Sequence, residues 1–112
     1  MSNIRALKSK QVIDGYRTIH DGVVVYADGK IQAVGAQKTT PIPEGAEVVD
    51  YGDNVISPGF IDIHCHSDAI VFQPDKNPKR LLQGFTTEVV GNCGVSCAPL
   101  TAEAKDAWAA YC

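Results

Sequence analysis

Two of the three histidines in this 112-residue chain, His64 and His66, stand two positions apart at the end of the apolar run Phe60-Ile61-Asp62-Ile63. Side chains on a strand alternate between faces with a rise of about 3.3 Å per residue, so both imidazoles project from one face with Cβ atoms within about 7 Å. Imidazole nitrogen is a common zinc ligand, and a pair in register can share one metal centre. Asp62 falls on the same face, while Ile61, Ile63 and Cys65 fall on the other. A lone histidine would be read as a half-buried side chain satisfied by hydrogen bonds. A pair that follows Ser57-Pro58-Gly59 and precedes Asp68 favours metal ligation.

Cys93 is the next residue with chemistry to offer. It lies just past a second strand-like run, Thr86-Thr87-Glu88-Val89-Val90, between Gly91 and Gly94. Glycines let the backbone turn sharply and approach a ligand closely, and a thiolate beside a cation is a strong ligand. Taken alone, a glycine-flanked cysteine reads as a small buried residue; at the mouth of the strand adjoining the histidine pair it reads as a third metal ligand. Cys65 points away from the histidines by strand alternation and is expected in the core. Cys97 makes a C-x₃-C spacing with Cys93 and could close a structural zinc site. His20, before the turn residues Asp21-Gly22, reads as a surface residue.

The elements that must position these residues divide the sequence in two. Residues 1–56 read as all-β. Gly22–Ala27 and Lys30–Gly35 form a hairpin about Asp28-Gly29, a type I′ signature. An earlier, weaker pair of strands lies near Ile4–Leu7 and Gln11–Ile13, and Glu47–Asp50 is a further strand after the exposed connector Thr39–Gly45. Residues 57–112 alternate strand and helix. A buried strand from Phe60 to His66 leads to a loop around Gln73-Pro74-Asp75. A short helix over Pro78–Gln83 follows, with Asn77 as N-cap and Gly84 at C′. After the Thr86–Val90 strand, a second helix begins beyond Thr101, with Ala104, Ala107, Trp108 and Tyr111 at helical spacing. This order implies βα units feeding a parallel sheet. Parallel sheets need cover on both faces, and a (β/α)8 barrel takes about 250 residues, so both halves read as parts of something longer, with uncovered edges that favour self-association.

Bulk properties exclude several classes. With 45% hydrophobic and 21% charged residues the sequence is that of an ordinary globular domain. A net charge of −3 gives no electrostatic reason to expect nucleic acid. No apolar run approaches the ~20 residues that span a bilayer, so no membrane partner is expected. The start lacks the basic-then-apolar order of a secretory leader, so a cytoplasmic location is expected, with Cys65, Cys93, Cys97 and Cys112 as free thiols or metal ligands rather than disulfides.

The block Pro58-Gly59-Phe60-Ile61-Asp62-Ile63-His64-Cys65-His66 resembles the metal-binding signature of the amidohydrolase superfamily. A second block, from Gln83-Gly84-Phe85-Thr86-Thr87 through Gly91-Asn92-Cys93-Gly94 to Ala98-Pro99-Leu100, resembles its N-acyl-D-amino-acid deacylase (D-aminoacylase) branch. The resemblance implies an α/β protein with a small β domain, in which residues 1–56 are part of a β-sandwich and 57–112 are the first two βα units of a metal-dependent TIM barrel. It implies that Cys93 is a metal ligand where related enzymes use a carboxylated lysine, and that His64 and His66 line the same centre, with one or two divalent ions, zinc foremost. Two more histidines and a catalytic aspartate would come from later barrel strands.

The implied chemistry is metal-assisted hydrolysis of a small-molecule N-acyl amino acid. Zinc acidifies water and polarises the acyl carbonyl, and the aspartate carries the proton. Lacking that aspartate, the isolated chain is expected to be inactive. Cys65 replaces the small polar residue common between the two histidines, a change that leaves ligation intact. Two alternatives stand beside this reading. One is a dihydroorotase-, hydantoinase- or sugar-deacetylase-like amidohydrolase. The other is a stand-alone module in which His64, His66, Cys93 and Cys97 close a structural zinc site.

Overall fold

The structure, a computed structural model, describes residues 3–70 and 78–111. The expected loop at Gln73-Pro74-Asp75, the Asn77 cap and Cys112 lie outside the described residues. The chain divides into two compact units, one ending at Pro58 and one beginning at Gly59.

The first unit is a five-stranded sheet built from β1 (Arg5–Ile13), β2 (Thr18–Ala27), β3 (Lys30–Ala36), β4 (Glu47–Asp50) and β5 (Val55–Ile56). Its order is β3-β2-β1-β4, with β5 also on β1. The β1, β2 and β3 strands form an antiparallel meander, whereas β4 and β5 both run parallel to β1. The hairpin turn between β2 and β3 has the expected chemistry: Asp28 and Gly29 both take positive φ, 51° and 73°, as a type I′ turn requires. Ala6, Val23 and Val25 are its fully buried core, with Ile4, Ala33 and Ile42 packed against them.

Here the sequence reading is corrected at β1, which is one nine-residue strand rather than two short ones. The polar stretch Lys8-Ser9-Lys10 reads locally as a break. Ser9 is instead buried at 1% exposure, its hydroxyl donating to the carbonyl of Asn54 and accepting the N–H of Gln11 at 3.0 Å. A buried hydroxyl with its bonds made does not interrupt a strand.

The second unit pairs β6 (Phe60–Asp62) with β7 (Phe85–Glu88) in parallel, with helix α1 (Pro78–Leu82) preceding β7. Parallel partners need a crossover, and α1 lies within it. It stops where expected, with Gly84 at φ 90° just beyond its last turn. A 3₁₀ turn, Asn92–Gly94, follows β7, and α2 (Ala104–Tyr111) comes last, its first N–H, at Ala104, donating to the Thr101 hydroxyl at 3.3 Å.

Two expectations for β6 change. The strand ends at Asp62, before the histidines, because one Asp62 oxygen accepts the His64 N–H at 3.1 Å and turns the backbone out of the ladder. Nor is the segment expected as that strand buried: Phe60, Ile61 and Ile63 are 56%, 62% and 77% exposed, because among the described residues β6 pairs with β7 alone. The β6–β7 register slips by one residue between Phe60 and Ile61, leaving Thr86 as the extra residue of a bulge. Gly59 makes room for it, since a Cβ at that position would stand 2.1 Å from the Thr86 hydroxyl oxygen and 2.7 Å from its Cβ.

Gly59→Ala is therefore expected to destabilise the second unit by about 2 kcal/mol through overpacking, read as a shift in urea midpoint. Adding Thr86→Gly should recover most of that loss. Additive destabilisation in the double variant would contradict the close approach inferred here.

Candidate metal centre

The site is assembled at the C-terminal ends of β6 and β7. Beyond Asp62 the two segments stay joined. Val89 donates its N–H to the Asp62 carbonyl at 2.8 Å, and Cys65 donates its N–H to the Val89 carbonyl at 3.4 Å. Asn92 ties them again, its side-chain amide donating to the carbonyls of Val89 at 2.8 Å and Cys65 at 3.1 Å. These bonds bring the Gly91-Asn92-Cys93-Gly94 turn against the His64-Cys65-His66 segment.

The expected ligands meet there. Donor atoms of His64, His66 and Cys93 all lie within 4.8 Å of one another, and all three residues are exposed. The Cys93 sulfur is 3.5 Å from His64 Nε2. Two donors on a tetrahedral zinc, at bond lengths of about 2.3 and 2.0 Å, stand about 3.5 Å apart. The imidazoles of His64 and His66 meet edge to face with centroids 5.5 Å apart. Borderline-soft nitrogen and thiolate sulfur are the donor set that suits zinc, so these residues fit a divalent cation. Among the described residues no other group of three such donors comes together, and Cys97 is not part of this one. Cys93 reaches its place in the left-handed region, at φ 57°, a conformation unusual for a residue with a Cβ.

Cys65 is 3% exposed, the burial expected of it, although it lies past the end of β6, with its sulfur 3.2 Å from the Ser67 hydroxyl. Behind it runs a polar network that sequence reasoning missed. Asp62 and Glu88 stand opposite each other in the β6–β7 register. Two carboxylates so placed repel, and Arg80 from α1 answers both. It donates to Asp62 through Nη1 and stands 3.1 Å from Glu88 Oε1 through Nε. Ser67 donates to the other Glu88 oxygen. The His64 N–H, and then Arg80, hold the Asp62 carboxyl below the usual range, while the bond to Asp62 raises Arg80. The helix α1 was legible from Pro78 and Gly84 at its ends, but nothing local marks Arg80 as the partner of carboxylates on two different strands.

No protein-family model matches the chain. It is 41% identical over 81 residues to N-acyl-D-aspartate deacylase of Alcaligenes xylosoxydans xylosoxydans, covering 71% of this chain and 16% of that protein. D-aminoacylase of the same organism is 46% identical over 52 residues, 46% of this chain and 11% of that one. A solved D-aminoacylase, described as having a binuclear metal centre, superposes with a TM-score of 0.69 at 34% identity, over 86% of this chain and 20% of its own. The chain belongs to the amidohydrolase superfamily. Within it, the similarity runs to the D-aminoacylase branch, and the chain spans less than a fifth of the length of those curated relatives.

Replacing Arg80 by Met should lower the thermal midpoint of the second unit, because Asp62 and Glu88 are left facing each other without a cation. Glu88→Gln in that background should recover part of the loss. An Arg80→Met variant as stable as the wild type would contradict the clamp.

Proposed function

We propose that this chain is the N-terminal portion of a zinc-dependent amidohydrolase that hydrolyses the amide of an N-acyl-D-amino acid. In this reading residues 1–56 contribute to a β-sandwich and residues 57–112 form the first βα units of a (β/α)8 barrel. His64, His66 and Cys93 are metal ligands. The convergence of those three donors at the C-terminal ends of two parallel strands carries the reading, because barrel enzymes of this architecture build their sites at that end. The relatives' names, N-acyl-D-aspartate deacylase and D-aminoacylase, support the substrate class.

The chain's own residues have defined parts in this scheme. His64 and His66 present two imidazoles on one side, and Cys93 presents its sulfur on the other. Asp62, tied to Arg80 and to the His64 N–H, fixes the backbone from which the first imidazole projects. When bound, a divalent cation supplies Lewis acidity toward an acyl carbonyl and water. Proton transfer to the departing amine needs a group beyond these, which the family resemblance assigns to an aspartate of a later barrel strand. Without that group, metal binding without turnover is expected of the 112-residue chain.

Metal analysis of the purified chain tests this. The wild type should hold zinc, and both His64→Ala and Cys93→Ala should weaken it by more than the roughly 10- to 100-fold that loss of an outer-shell partner causes. Stoichiometric zinc surviving in Cys93→Ala would remove the cysteine from the ligand set. An assay with an N-acetyl-D-amino acid should release no free amino acid, and turnover by the 112-residue chain would contradict the assignment of the proton shuttle elsewhere.

A further inference from the structure

Two residues past His66, Asp68 is 2% exposed. A carboxylate removed from water is costly unless its oxygens are engaged, so what it bonds to is informative. One oxygen accepts the Gly91 N–H at 2.9 Å, and the other is buried without a hydrogen-bond partner among the described residues. Gly91 opens the turn that carries Cys93. Across it Gly91, Cys93 and Gly94 all take positive φ, at 83°, 57° and 78°. A non-glycine residue stays in that region only where its surroundings over-determine it.

The surroundings do so from two sides. The Asn92 amide ties the turn to the carbonyls of Val89 and Cys65. The Asp68 carboxylate ties the Gly91 N–H to the segment that bears the histidines. The Asp68 bond is therefore a side-chain link between the histidine segment and the first residue of the cysteine turn. It acts on Gly91, where the backbone enters the left-handed conformation that aims the Cys93 sulfur at His64.

We propose that Asp68 is a positioning residue whose buried carboxylate, through the Gly91 N–H, locks the Cys93 turn onto the His64–His66 pair. Its consequence for metal binding rests on the reading of that trio as a metal centre. Asp68 touches neither substrate nor metal in this scheme. It acts through the backbone by holding a thiolate donor in register with two imidazoles, as outer-shell partners orient ligands in metal sites generally.

The test uses the full 112-residue chain, cobalt(II) as probe, and two variants that fill the same space. Asp68→Asn keeps an acceptor for the Gly91 N–H; Asp68→Leu removes it. The near-ultraviolet thiolate-to-cobalt band reports Cys93 ligation, far-ultraviolet circular dichroism reports folding, and hydrogen exchange of the Gly91 amide reports the lock without metal. The wild type and Asp68→Asn should show the band and a protected Gly91 amide. Asp68→Leu should expose that amide, weaken the band and bind cobalt about 10- to 100-fold more weakly. A folded Asp68→Leu with unchanged band and affinity overturns the proposal, as does a folded Asp68→Asn that loses the band. Fast Gly91 exchange in the wild type overturns it even if Asp68→Leu does not fold. A wild type that binds no cobalt, while Gly91 protection still follows the acceptor at position 68, overturns the metal reading alone and supports the lock.

Discussion

The candidate site depends on the parallel pairing of two short strands that continues past their ends as hydrogen bonds from Val89, Cys65 and Asn92. Neither segment alone could hold three donors together. The histidine segment leaves the ladder after Asp62, and the cysteine turn runs through left-handed backbone. Each irregularity is tolerable because the other segment bonds to it, and one asparagine side chain donates to a carbonyl on each, those of Cys65 and Val89. The geometry of the candidate ligands is in this sense a product of hydrogen bonding between segments about thirty positions apart in the chain.

The same pairing creates an electrostatic problem and contains its solution. Asp62 and Glu88 are brought face to face by the register, and the helix of the crossover returns a guanidinium to both. Arginine suits the position because its extended guanidinium can donate to Asp62 through Nη1 while its charge stands 3.1 Å from Glu88 Oε1. The network continues through Ser67 to the buried Cys65. The residue between the two histidines is thereby anchored in the interior, while the two imidazoles are left exposed.

Much of this was legible in the sequence where the signal is local. Asp28-Gly29 states its own turn type, Gly84 its helix end, and the i, i+2 spacing of His64 and His66 their shared side. The meeting of Cys93 with that pair followed from reading two strands as parallel neighbours. What escaped is what depends on distant partners. The β1 strand reads as broken at Ser9 because the partners of that hydroxyl include the Asn54 carbonyl, 45 positions away, which no local pattern announces. The end of β6 lies earlier than its apolar pattern suggests, because Asp62 bonds to the His64 N–H rather than standing clear of the backbone. Arg80 and Glu88 look like ordinary surface charges until the register sets them beside Asp62. The described residues form one five-stranded sheet and one two-stranded sheet.

The central claim is that one thiolate and two imidazoles converge on a single metal ion. X-ray absorption at the zinc edge of the loaded chain addresses it most directly. One sulfur at about 2.3 Å together with imidazole nitrogens at about 2.0 Å is the predicted shell. A shell of nitrogen and oxygen alone, or one with two or more sulfurs, would contradict it.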